Sequence, residues 1–280
     1  MSYRAKIVSQ LKKIRSKLYS GWVRRAIRQT GLNKPLSYLY WHLLHLISDD
    51  IIEHRILDIS VEFHTTTLHE YLRFRDLVGE RAILEDVLIS IQKDDIFYDV
   101  GANVGTYTCF VASKLESGQV ISFEPVTSNT NRLRQNLELN GLSAETVQVA
   151  LSDTNDTVEF MLSDDATGAG EHAIATDSGG QTIEVETSQG DSLIKRYGLP
   201  KPTVVKIDVE GAEHLVLQGL QTTLRDNCRL VYVEVHPEKI SDFGGSESDV
   251  RSLLTQCGFE ISEMGQRGNQ IFLRAHKQDV

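Results

Sequence analysis

The residues best arranged for chemistry in this 280-residue chain are Phe97-Tyr98-Asp99-Val100-Gly101-Ala102-Asn103-Val104-Gly105-Thr106-Tyr107-Thr108, an apolar strand running into a glycine turn that opens a helix. Glycines there let the backbone approach a ligand closely, and the start of the helix offers unpaired N–H groups. The spacing is Gly-x-Asn-x-Gly with Asp99 two residues ahead. It differs from the Gly-x-Gly-x-x-Gly of nicotinamide-dinucleotide sites. It better suits a ligand with an amino-acid tail, whose ammonium Asp99 would meet directly or through water.

Glu124 follows Gly105 by 19 residues and ends the next apolar run. A carboxylate at that point can accept both hydroxyls of an adenosine ribose. Further on, Val149-Ala150-Leu151-Ser152-Asp153 ends another strand, where backbone groups, Ala150 and Leu151 are placed to flank an adenine.

Two later strands carry ionisable groups. In Val204-Val205-Lys206-Ile207-Asp208-Val209-Glu210-Gly211-Ala212-Glu213, Lys206, Asp208 and Glu210 alternate onto one face. Charges in a buried strand are costly unless paired or functional. Lys206 can brace the sheet by pairing with a carboxylate, whereas Asp208 and Glu210 read as functional. In Leu230-Val231-Tyr232-Val233-Glu234-Val235-His236-Pro237, Glu234 and His236 share a face. A hydroxyl under attack must lose a proton, which His236 or Glu210 could accept. Asp208, Glu234 and His236 could also hold a divalent metal, although their spacing matches no recognised metal motif.

The elements that must position these groups are legible as alternation. Strands are expected at 96–100, 119–124, 146–150, 203–208 and 229–235, with helices at 106–115, 130–140 and 211–226. A helix at 246–256 and two strands at 259–264 and 270–275, joined by a turn at 265–268, follow. Strands alternating with helices imply a parallel sheet, and the final pair implies an antiparallel hairpin at its edge. The expected fold is thus α/β and Rossmann-like, with a mostly parallel seven-stranded sheet. Residues 93–280 form the ligand-binding domain, 51–92 a strand and helix lead-in, and 1–50 a helical extension. The polar, glycine-rich stretch 163–182, between strands expected at 157–162 and 182–187, reads as a lid or a surface insertion.

Charge is divided sharply. The net charge is −10, yet residues 1–48 hold ten Lys/Arg and no Asp or Glu, leaving −20 on the rest. So acidic a body argues against a nucleic-acid binder. Residues 3–28 read as one basic amphipathic helix with Ile7, Leu11, Ile14, Leu18 and Trp22 on a stripe. With the aromatic segment 36–47, residues 3–47 suit either peripheral contact with an anionic membrane or packing on the body. Cys109, Cys228 and Cys257 form no CxxC pair, so a reducing compartment is expected. No apolar run of about 18 residues and no signal sequence is evident, which implies a cytoplasmic protein.

Taken together, DVGANVGTYT (99–108), SFEP (122–125), VALSD (149–153), VVKIDVEGAE (204–213) and VEVHP (233–237) resemble the FkbM-type methyltransferases over about residues 80–238. The resemblance implies a class I methyltransferase fold, S-adenosylmethionine as donor, and O-methylation of a small-molecule or glycan acceptor. By motif match, Asp99, Gly101, Asn103, Gly105 and Glu124 become cofactor residues, and Asp208, Glu210 and His236 catalytic-face residues. A lipid-linked saccharide is an acceptor consistent with membrane contact. The competing functions are a nicotinamide-dependent oxidoreductase, which the glycine turn opposes, and a non-catalytic membrane scaffold, which the intact acidic positions oppose.

Overall fold

The computed structural model describes residues 3–31, 33–162, 173–174 and 181–278. Helices α1 (Tyr3–Leu18), α2 (Gly21–Gln29) and α3 (Asn33–Ile47) come first, then an antiparallel hairpin of β1 (Ile51–Ile56) and β2 (Ile59–His64). Helices α4 (Leu68–Phe74) and α5 (Arg81–Ser90) lead into β3 (Ile96–Val100), α6 (Thr106–Lys114), β4 (Gln119–Phe123), α7 (Thr127–Leu139) and β5 (Glu145–Val147). Next are β6 (Ala150–Ser152), β7 (Asp156–Leu162), β8 (Ala173–Ile174), β9 (Gln181–Gln189) and α8 (Gly190–Tyr197). The chain continues through β10 (Val204–Ile207), α9 (Glu213–Gly219), α10 (Gln221–Asp226), β11 (Leu230–Val235) and α11 (Pro237–Ile240). It closes with α12 (Glu247–Gln256), β12 (Glu260–Arg267) and β13 (Gln270–His276).

The main sheet has the order β12-β13-β11-β10-β3-β4-β5. Its five strands from β11 to β5 form four parallel pairs, and β13 and β12 run antiparallel at the edge. The two-residue period of a strand sorts its side chains between two cores. Tyr98, Ile121, Val205 and Val233 meet Val216, Leu220 and Leu254 on one face. Phe97, Val120, Val204 and Leu230 meet Leu84, Phe110 and Leu133 on the other. The β1–β2 hairpin covers this second core with Val61 and Phe63. Asn136 and Asn140 side chains accept the His64 and Glu62 backbone N–H groups at 3.0 and 2.8 Å, so two donors of that exposed edge are satisfied.

Several expected boundaries move. The helix expected over 3–28 breaks at Gly21, whose φ of +54° turns the chain out of the right-handed region. The strand expected at 146–150 divides: β5 stays in the main sheet, while β6 pairs with β9 in a second sheet of order β6-β9-β7-β8. The terminal hairpin is longer than expected, with β12 reaching Arg267 and a register shift between Glu263 and Gly265. That shift re-aims the end of β12. The expected lid at 163–182 lies outside the described residues, apart from Ala173–Ile174 and the start of β9. All three cysteines are buried and free.

Helices α1 and α3 rest on α4 through a small cluster of Val8, Leu44 and Tyr71. Arg15 lies over the rings of Tyr40 and Trp41 at 4.2 and 5.0 Å, and Arg75 over Trp41 at 4.0 Å. Among the described residues no helix is long and apolar enough to cross a membrane.

Candidate active site

Strand order reverses between β3 and β10, since β4 and β5 extend to one side and β11 to the other. Open α/β sheets bind ligands at the carboxyl ends of the strands beside such a point. The glycine turn sits there. Gly101, Asn103 and Gly105 all take left-handed φ, at +76°, +50° and +88°. The Gly101 and Ala102 N–H groups bond the Phe123 carbonyl at 3.0 and 3.1 Å, tying the turn to the end of β4.

Glu124 closes this arrangement. Its Oε2 accepts the Asn103 N–H at 2.8 Å, and its Oε1 accepts the Val126 N–H at 3.0 Å. Burial raises its pKa, and those backbone bonds and Asn129 pull it back. A carboxylate has about four lone-pair sites, so acceptor capacity remains for a ribose. Leu151 is packed into the core. Ala150 is only partly buried, against Val126 and Val185.

Asp99 differs from its expected place beside a ligand ammonium. It is fully buried, and its Oδ2 accepts both the Thr108 N–H at 3.0 Å and the Thr108 hydroxyl at 2.7 Å. It therefore serves as an internal anion at the start of α6. Its Oδ1 lies 3.3 Å from Lys206 Nζ, which is 3.6 Å from Asp208 and donates to the Gly101 carbonyl at 3.2 Å. Burial alone would lower the Lys206 pKa, but Asp99 and Asp208 outweigh it and hold the ammonium charged. Lys206 is the brace between β3 and β10.

On the other side, Asp208, Glu210 and His236 converge as expected. His236 Nε2 lies 3.4 Å from Glu210, 3.8 Å from Glu234 and 3.9 Å from Asp208. Its Nδ1 meets Glu213 Oε1 at 2.7 Å. Burial would lower the His236 pKa, yet the bond to Glu213 and the Asp208 and Glu210 charges push it up to about 9. Glu234 is pushed up to about 8 by burial and by Asp208 and Glu80. Asp208 moves the other way: Lys206 and His236 overcome burial and keep it ionised. At neutral pH this face therefore offers Asp208 as a proton acceptor, and His236 as a donor.

Three further residues shape the site without having been singled out in the sequence. Glu213 also accepts the Gly211 N–H at 2.8 Å; an acidic residue in the first turn of a helix was its one local signal. Arg267 reaches back from β12 to Glu234 at 2.6 Å and Glu80 at 2.8 Å. Lys239 pairs with Glu210 at 2.6 Å. For Arg267 and Lys239 no sequence signal exists, because their partners are chosen by the packing of β12 and α11.

A mostly parallel seven-stranded sheet closed by an antiparallel hairpin, with a glycine turn at the point of reversal, is the Rossmann-like class I methyltransferase fold. Residues 99–261 match the methyltransferase FkbM domain, and the chain belongs to that family. Hexuronic acid methyltransferase AglP of Haloferax volcanii is 33% identical over 198 residues, spanning 71% of this chain and 77% of that protein. The 31-O-demethyl-FK506 methyltransferase FkbM of Streptomyces tacrolimicus is 26% identical over 243 residues, spanning 77% and 91%. A solved FkbM methyltransferase from Methylobacillus flagellatus KT aligns with a TM-score of 0.48 at 14% identity, over 69% of this chain and 46% of that one.

Proposed function

We propose that this methyltransferase moves a methyl group from S-adenosylmethionine to an oxygen of a sugar, glycan or related small metabolite. The observation that carries the reading is the union of the glycine turn with Glu124, whose Oε2 holds the Asn103 N–H at 2.8 Å. Gly101 keeps the turn in place: a side chain there would collide with the Asp208 backbone, so glycine lets the ends of β3 and β10 close up beneath it. Glu124 would accept the ribose hydroxyls, and Gly101, Asn103 and Gly105 would pass beneath the rest of the ligand. When bound, the sulfonium supplies an electrophilic methyl group.

On the acceptor side, Asp208 and Glu210 take the proton of a hydroxyl, while His236, held by Glu213, donates to the acceptor and orients it. A carboxyl acceptor arrives already ionised and needs only the orientation. In either case much of the rate comes from holding oxygen, methyl carbon and sulfur in line. The Haloferax volcanii relative, a hexuronic acid methyltransferase, supports a sugar acid among the acceptors.

Calorimetric titration with S-adenosylmethionine, S-adenosylhomocysteine and NAD tests this. The first two are expected to bind saturably and NAD not to bind. Glu124→Ala should weaken binding at least 10-fold, as loss of a charge-assisted hydrogen bond costs about 1.5–3 kcal/mol. Folded protein that prefers NAD, or binds none of the three, would sink the reading and favour the oxidoreductase or the scaffold.

The helical extension is proposed to hold the enzyme against an anionic membrane surface, within reach of lipid-linked acceptors. Its apolar stripe faces outward: Ile14, Leu18 and Trp22 are 52%, 68% and 75% exposed, and Leu36, Leu39 and Leu43 form a second exposed row on α3. Ten basic and no acidic residues in 1–48 match an anionic surface, while the −20 body is repelled from it. The full chain should co-sediment with vesicles containing phosphatidylglycerol but not with phosphatidylcholine vesicles. Leu18→Glu with Trp22→Glu should release it. Self-association in place of vesicle binding would assign the stripe to a second copy instead.

A further inference from the structure

We infer that Asp208, Glu234 and His236 form a binding site for a first-row divalent transition-metal ion. Each offers one ligand atom, and the three atoms lie within 4.8 Å of one another. The side chain of His236 is only 3% exposed, and its Nε2 has no hydrogen-bond partner among the described residues. That nitrogen nonetheless faces carboxylate oxygens of Glu210, Glu234 and Asp208 at 3.4, 3.8 and 3.9 Å. Such separations are long for hydrogen bonds. They suit two ligands around one cation: with bonds of about 2.0–2.2 Å, ligands at tetrahedral or wider angles stand about 3.3–3.8 Å apart.

The ring is oriented for this task. Glu213 takes Nδ1 at 2.7 Å and is itself fixed by the Gly211 N–H, which aims Nε2 at the carboxylates, where a metal ion would take the place of its proton. A carboxylate behind the far nitrogen is how metal-binding imidazoles are commonly held. Lys206 sits on Oδ2 of Asp208 and leaves Oδ1 toward His236, whereas Arg267 shares the Glu234 Oε1 that faces His236; each carboxylate keeps further lone pairs for a cation. One imidazole nitrogen among carboxylates favours Mn2+ or Zn2+ over Mg2+ and Ca2+, which prefer all-oxygen sites. At the ends of β10 and β11 the ion would hold the acceptor oxygen. That clause alone rests on the methyl-transfer reading.

The test is Mn2+ titration into the chelator-treated full chain, followed by electron paramagnetic resonance. One site is expected, with spin-echo modulation from a single imidazole nitrogen, and Zn2+ but not equal Ca2+ should displace the ion. His236→Gln should weaken uptake at least 10-fold, and Glu213→Gln by about 10–100-fold. Folded wild-type protein that takes up no Mn2+, or holds it without a nitrogen signal, overturns the site. The spectroscopic signature needs no variant to fold. Uptake is read without cofactor or acceptor, so its failure is separate from failure of the S-adenosylmethionine titration.

Discussion

Replacing Lys206 by methionine is expected to destabilise the protein by about 3–5 kcal/mol, the range for stripping one partner from a buried ion pair. Methionine fills much of the same volume, so packing is largely kept. What is lost is the cation 3.3 Å from Asp99 and 3.6 Å from Asp208, together with the donor to the Gly101 carbonyl. Asp99 has no route to solvent, since it is fully buried. Urea unfolding read by circular dichroism would show the midpoint fall with the slope unchanged. Adding Asp99→Asn to Lys206→Met should recover part of the loss, because asparagine can still accept from Thr108 without a charge. A single variant as stable as the parent would mean that Lys206 does not join β3 to β10. The sign of the pH effect follows from the raised lysine pKa. Its contribution is complete below the ordinary lysine value and is lost only as pH climbs through the higher folded value, so none is expected to fade in acid or at neutrality.

Gly101→Ala is expected to cost about 3 kcal/mol or more and to abolish cofactor binding. Two penalties add. An L-residue held at φ of +76° carries about 1–2 kcal/mol of strain. The new Cβ would also stand 1.9 Å from the Asp208 carbonyl oxygen and 2.9 Å from its carbon, so the ends of β3 and β10 must part. The consequence for the site exceeds that for the fold. Gly101 and Ala102 anchor to Phe123, and Asn103 to Glu124, so a shift of the turn moves the Glu124 carboxylate as well. Thermal melting and S-adenosylmethionine titration would measure the two effects side by side. A variant within about 0.5 kcal/mol of the parent, the range of an ordinary surface change, would show that the two strand ends are not in contact.

These expectations depend on neighbours that differ in how far they could be read in advance. Asp99, Gly101, Asn103, Gly105 and Glu124 stand within one strand–turn–helix–strand passage, and their grouping at the end of the sheet follows from local alternation. Even so, Asp99 turned inward to Lys206 and Thr108, because register sets Asp99 opposite Lys206. Leu151 lies in the core for a related reason: the strand expected at 146–150 divides, and its second half joins another sheet. In the N-terminal helices, periodicity showed an apolar stripe but not which way it faces. Val8 and Leu44 took the contact with Tyr71, and Leu18 and Trp22 were left outside.

By itself, the sequence determined the alternation of strands and helices, the terminal hairpin, the glycine turn and the strand ends that carry acids. Each is written in a two-residue or 3.6-residue period, or in a spacing of a few residues, and such patterns survive any later packing. Only the tertiary structure decided the partners: Glu213 behind His236, Arg267 between Glu80 and Glu234, and Lys206 across from Asp99. Those pairings depend on strand order and register, and on how the β12–β13 hairpin folds back, which no local period encodes.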